Sequence, residues 1–117
     1  MTEVTVWHNP RCSKSRGACA LLEERDLAVE VRRYLDEPPT RGELEEVLAR
    51  LGLDDPREMM RTGEARYREL GLADADRDTL LDAMAAEPRL IERPIVIVGE
   101  RAVIGRPPER VSELLGD

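Results

Sequence analysis

The spacing of apolar and polar positions divides the chain into strand-like and helix-like stretches. Val4 and Val6 are β-branched and two apart, which predicts a buried strand. Asn9-Pro10 ends it, because proline fixes φ and has no N–H to donate. From Cys12 the spacing turns helical, with Ala18, Leu21 and Leu22 able to share a core-facing side. Over 27–34, Val29 and Val31 alternate with Glu30 and Arg32, which predicts a second strand. A strand, a helix and a strand in so short a space predict a right-handed βαβ unit with parallel strands.

The next stretch is helical. Thr40 and Glu43 form a capping-box pair, and Leu44, Val47, Leu48 and Leu51 follow at one-face spacing up to Gly52. Shorter pieces are predicted from Asp55-Pro56 through Met59 and Met60, and over 64–70 up to Gly71. A longer helix is predicted over 78–86, and a turn or short helix at Pro88. Residues 40–91 thus read as a helical block inserted between strands, with no linker that would make it a separate domain. The two methionines read as core.

Ile95-Val96-Ile97-Val98 is an unbroken apolar run, expected of a strand covered on both faces. Gly99-Glu100-Arg101 predicts a tight turn, and 102–104 an antiparallel return. Pro107-Pro108 predicts the start of a last helix carrying Val111, Leu114 and Leu115. The order β-α-β, helical block, β-β-α fits an α/β fold with a mixed four-stranded sheet flanked by helices. The first and third strands, being the most apolar, should be central. Arg93-Pro94 should then approach the turn after the first strand.

Composition narrows the partners. The chain has 117 residues, 41% hydrophobic and 37% charged, which suits one soluble domain over 1–117. No apolar run reaches the roughly 18 residues of a membrane span. The start of the chain resembles no signal sequence, so a cytoplasmic location is expected. A net charge of −7 disfavours nucleic acid and anionic membranes. Two cysteines and one histidine fall short of a Cys/His zinc site, and two cysteines argue against a disulfide scaffold. Lys14 is the only lysine among the 18 basic residues; the predominance of arginine fits a compositional bias as well as oxyanion binding.

Cys12 stands where the helix should begin. The first backbone N–H groups of a helix lack helical partners, and with the dipole they favour a thiolate or an incoming oxyanion. Arg11, Lys14 and Arg16 add positive charge, and Ser15 is placed to turn its hydroxyl towards the sulfur. A structural cysteine with coincidental basic neighbours explains this stretch about as well. His8 reads equally as a capping or core residue and as electrostatic support for the thiolate. Cys19 lies seven residues on, roughly 10 Å along a helix axis. That is too far to bridge to Cys12 without backbone movement, so Cys19 reads as a small buried apolar residue.

Longer motifs carry a resemblance. A cysteine opening the first helix, the β-α-β and β-β-α order, and a proline heading the third strand resemble the thioredoxin/glutaredoxin fold. His8-Asn9-Pro10-Arg11-Cys12-Ser13-Lys14-Ser15-Arg16, Tyr34-Leu35 with Pro38-Pro39-Thr40, Glu69-Leu70-Gly71-Leu72-Ala73 and Arg93-Pro94-Ile95-Val96 resemble the glutaredoxin-coupled arsenate reductases over about 4–115. The resemblance implies that Cys12 is the nucleophile and that Arg61, Arg93 and Arg106 bind the oxyanion. It further implies that His8 and Ser15 tune the thiolate and that Pro94 follows a cis bond. It implies arsenate as substrate, reduced to arsenite with electrons from glutathione and glutaredoxin, and no bound cofactor or metal.

Relatives often have Cys-Gly-Thr-Ser-Arg where this chain has Cys12-Ser13-Lys14-Ser15-Arg16. A phosphatase-type arsenate reductase needs an arginine six residues after the cysteine, and position 18 is alanine. The alternatives are a thiol oxidoreductase acting on another substrate and a redox regulator or adaptor resembling Spx. The usual Cys-x-x-Cys switch of that regulator is absent, since position 15 is serine. A monomer is expected, because no long apolar face remains unassigned.

Overall fold

The computed structural model describes residues 3–24, 28–105 and 110–111. Contacts divide the chain into two compact units, Met1–Glu37 with Arg93–Asp117, and Pro38–Glu92.

The first unit holds the sheet. Strand β1 (Glu3–Trp7) leads to helix α1 (Ser13–Glu24) and strand β2 (Ala28–Arg32), and β3 (Ile95–Val98) turns back into β4 (Arg101–Ile104). The strand order is β2-β1-β3-β4, with β1 parallel to β2 and antiparallel to β3, and β3 antiparallel to β4. The two strands with the most apolar sequence are therefore central, as their patterning predicts. Val6 is level with Val96, and Val96 with Val103. These valines and Val4 pack with Ala18 and Leu22 of α1 and with Val111 in one core cluster. Ile95, Val96 and Ile97 are all buried, as expected of a strand covered on both faces. Gly99 makes the β3–β4 turn at φ 59°, a conformation glycine adopts without steric cost.

Strand β2 forms where the alternation of Val29 and Val31 predicts it, and it runs parallel to β1 as expected. Val29 packs against the core cluster, but Val31 is 49% exposed. The strand lies at the sheet edge, where alternation no longer guarantees cover.

The second unit is helical throughout its regular structure. Helix α2 (Arg41–Arg50) carries the predicted capping box: Thr40 accepts from the Glu43 N–H, and Glu43 accepts from the Thr40 N–H. Helix α3 (Ala65–Glu69) ends before Gly71, which is left-handed at φ 65°. Helix α4 (Arg77–Ala86) starts one residue earlier than its apolar pattern indicates, because Asp76 caps it by accepting from the Thr79 N–H. The remaining pieces are single 3₁₀ turns at Pro56–Met59, Leu72–Asp74 and Pro88–Leu90. Met60 is not helical but pairs with Ile91 as an isolated bridge, and both methionines are buried. The last helix expected after Pro107-Pro108 lies outside the described residues.

Packing is tight around Gly105, the residue after β4. A Cβ there would stand 3.0 Å from Pro94 Cγ, 3.4 Å from Val111 Cγ2 and 3.6 Å from Ala18 Cβ. A proline ring cannot rotate aside, so Gly105→Ala is expected to lower stability by about 1–3 kcal/mol. Thr40→Ala, which removes one half of the capping box, is expected to cost about 1 kcal/mol. Urea unfolding of the full chain measures both.

Candidate active site

The site begins where β1 stops. The His8 N–H donates to the Arg32 carbonyl at 2.8 Å, which prolongs the parallel ladder by one bond. Pro10 then interrupts it, and the chain folds into a short turn. The Cys12 N–H donates to the Asn9 carbonyl at 3.0 Å, and the Arg11 N–H to Asn9 Oδ1 at 3.0 Å. Asparagine suits this position because its side chain bonds the backbone two residues on. The Arg16 N–H donates to the Cys12 carbonyl at 3.0 Å, the first bond of α1. Cys12 therefore occupies the N-cap of the helix.

At an N-cap the side chain accepts from the second and third helical N–H groups. Here the acceptor is sulfur. The backbone N–H groups of Ser15 and Lys14 donate to it, as does the Arg93 guanidinium. Burial pushes the thiol up, but these donors and the Arg93 charge outweigh it, so Cys12 ionises below an ordinary thiol. The residue is 9% exposed. Arg93 precedes Pro94 through a cis peptide bond, and the Gly105 N–H donates to the Pro94 carbonyl at 2.9 Å. The expected approach of Arg93-Pro94 to the first turn is thus met by the Arg93–Cys12 hydrogen bond.

Ser15 is placed differently from the sequence expectation. It is fully buried, and its Oγ accepts from the Asn9 N–H at 3.0 Å while lying 2.7 Å from His8 Nδ1. Its contribution to Cys12 comes through its backbone N–H, and its hydroxyl serves the turn and the imidazole.

His8 is likewise no cationic support. Burial first, then the charges of Arg33 and Arg16, hold its imidazole below its ordinary range. With both effects opposing protonation it is neutral at pH 7.

Cys19 is half-buried against the core, as a small apolar residue would be, but its Sγ also lies 3.5 Å from His8 Nδ1. Burial and then Glu23 push this thiol up, so it keeps its proton. Ser15 Oγ and Cys19 Sγ thus both face the same ring nitrogen, Nδ1, from successive turns of α1. The Cys19–His8 contact had one sequence signal: Cys12, Ser15 and Cys19 recur at three and four residues, one helix face.

The other two arginines stand apart from this account. Arg61 belongs to the second unit, where its Nη1 donates to Glu64 Oε1 at 2.6 Å and its N–H to the Leu90 carbonyl at 2.7 Å. Arg106 lies outside the described residues. Trp7 is buried in the sheet, with the Arg32 guanidinium 5.7 Å from its ring centroid.

The ArsC family pattern matches residues 7–114. A protein of Neisseria meningitidis serogroup A named arsenate reductase is 50% identical, aligning 98% of this chain with 100% of that one. The Escherichia coli protein YfgD, whose name states no activity, is 46% identical over 97% of this chain and 98% of its own. A solved structure titled arsenate reductase from Vibrio cholerae matches with a TM-score of 0.94 at 47% identity, covering 96% of this chain and 97% of that one. With the family pattern spanning nearly its full length and relatives this similar, the chain belongs to the ArsC family.

Proposed function

We propose that this protein reduces arsenate to arsenite at Cys12, with electrons delivered by glutathione and glutaredoxin. The observation that carries the reading is the sulfur at the cap of α1, hydrogen-bonded by two backbone N–H groups and by Arg93. Those donors favour a thiolate, and the same kind of donor favours a tetrahedral oxyanion. The names of the similar proteins supply the substrate.

The chemistry runs as an exchange at arsenic. The Cys12 thiolate attacks As(V), a sulfur–arsenic bond forms, and one arsenate oxygen leaves as hydroxide or water. A glutathione thiol then attacks the adduct, and glutaredoxin resolves the mixed species. In total two thiols become one disulfide, As(V) takes up the electron pair, and one arsenate oxygen departs as water. Arg93 holds oxyanion charge during attack, where a preorganised donor contributes most. Arg61 and Arg106 enter the proposal on the family resemblance alone. Cys19 supplies neither the nucleophile nor the resolving thiol, because it is protonated and turned to His8. The reducing thiol therefore comes from outside the chain.

NADPH oxidation with glutathione, glutaredoxin, glutathione reductase and arsenate measures the activity. Turnover is expected with the wild type and with Cys19→Ser, and none with Cys12→Ser. Arg93→Ala is expected to lower it by about 10²-fold. Absence of arsenate turnover in a protein whose Cys12 is still a reactive thiolate overturns arsenate as the substrate.

Alkylation of Cys12 by iodoacetamide across pH tests the thiolate itself. The donors favour the charged form, so reactivity should persist to lower pH than for a free thiol near 8.5. Arg93→Ala should move the inflection upward, since it removes both a hydrogen bond and a positive charge. An unshifted wild-type inflection refutes the activated cysteine.

A further inference from the structure

The site carries more positive charge than Cys12 uses. Between His8 and Leu22 there is no acidic residue, and Glu23 is the first. Arg11, Lys14 and Arg16 stand exposed on this stretch. Arg16 is folded back over the turn, its Nη1 donating to the Pro10 carbonyl at 2.8 Å. Arg33, also exposed, follows the Arg32 carbonyl that receives the His8 N–H, and its charge with that of Arg16 acts on the imidazole. Among the described residues these four cations make no salt bridge, although Asp36 and Glu37 lie in the turn after Arg33. Elsewhere in the same chain Arg41, Arg57, Arg61 and Arg66 are all paired with carboxylates. A protein of net charge −7 thus keeps an unneutralised basic rim on the turn and helix start that carry the buried Cys12, and just past β2.

We propose that Arg33, Arg16, Arg11 and Lys14 form a docking surface for a small thiol bearing two or more carboxylates, the chemical class of glutathione. The inference rests on the reading that outside thiols reduce Cys12, and it adds which residues select them. Arg93 answers to the sulfur, whereas the rim lies on the exposed turn, helix start and β2 end through which a second anion arrives. Carboxylates there neutralise the rim while the thiol meets the adduct on Cys12. The complementary exchange is balanced without arsenate. The Cys12 thiolate attacks a disulfide, a new sulfur–sulfur bond forms, the old one breaks, and the departing sulfur carries off the electron pair. Its reverse releases Cys12.

The test follows mixed-disulfide formation on Cys12 by mass spectrometry, using oxidised glutathione, neutral 2-hydroxyethyl disulfide and cationic cystamine. Each rate is divided by that of the same probe with a neutral cysteine amide. At 20 mM salt the anionic probe is expected to exceed the cationic one by about tenfold or more. Raising salt to 0.5 M, where screening acts within a few ångströms, should remove most of this preference. Arg16→Gln/Arg33→Gln should cut it several-fold while leaving the neutral probe's rate unchanged, which shows that fold and thiolate survive. Should the double variant lower the neutral rate, Arg11→Gln/Lys14→Gln is measured by the same ratio. Equal normalised rates for the three probes, or a preference insensitive to both salt and these substitutions, overturns the docking surface. The readout contains no arsenate, so a failed arsenate assay leaves it intact.

Discussion

The local structure of the site depends on one substitution of roles: a sulfur does the work of a helix cap. Helix α1 begins with N–H groups that no carbonyl can satisfy. Serine, threonine or aspartate usually answers them, and here Cys12 does, through the N–H groups of Lys14 and Ser15. The same bonds that close the helix end draw negative charge onto the thiol. Folding and reactivity are therefore coupled at this point. The turn before it must present Cys12 at one place, which Asn9 secures through its carbonyl and its side-chain oxygen.

Around that cap the first unit arranges two kinds of support. The valines of β1, β3 and β4 with Ala18 and Leu22 hold α1 flat on the sheet, which fixes where its first turn points. The cis Arg93–Pro94 bond stands at the head of β3, with Arg93 donating to the sulfur. Gly105 leaves room for the Pro94 ring, so the absence of a side chain at one position admits the proline that follows Arg93. Arg11, Lys14, Arg16 and Arg33, which make no salt bridge among the described residues, then give this part of the chain a character opposite to that of the whole.

Much of this could be read from residue types and spacing. The apolar run of β3 and the β-branched pair in β1 made those strands central, and the Thr40–Glu43 spacing marked a helix start that the structure shows in full. Cys12 at the head of α1 and the approach of Arg93 were legible for the same reason: both follow from element order. What failed was side-chain direction. Ser15 was expected to serve the sulfur by its hydroxyl, but that hydroxyl meets His8, seven residues back across the proline turn. Periodicity describes faces of one helix and is silent on a turn that folds over it. The neutrality of His8 was hidden likewise, because it comes from burial first and then from Arg33, just past β2, and Arg16. The exposure of Val31 was not legible either, because alternation records a strand and not its rank within the sheet. The Arg61–Glu64 pair, by contrast, has the three-residue spacing of a local ion pair.

Ser15 ties three things at once. Its N–H reaches the sulfur, its oxygen takes the Asn9 N–H, and its hydroxyl meets His8, all within a fully buried side chain. Position 15 is where a Cys-x-x-Cys protein would keep its second thiol. A thiol there is longer, is a weak donor and acceptor, and would leave the turn and the imidazole poorly bonded in a closed space. The architecture that sharpens Cys12 thus occupies the one place from which an internal partner would have released it. A second thiol at position 15 would require this chain to rebuild its own turn first, so the bonds of Ser15 stand against a self-resolving disulfide there.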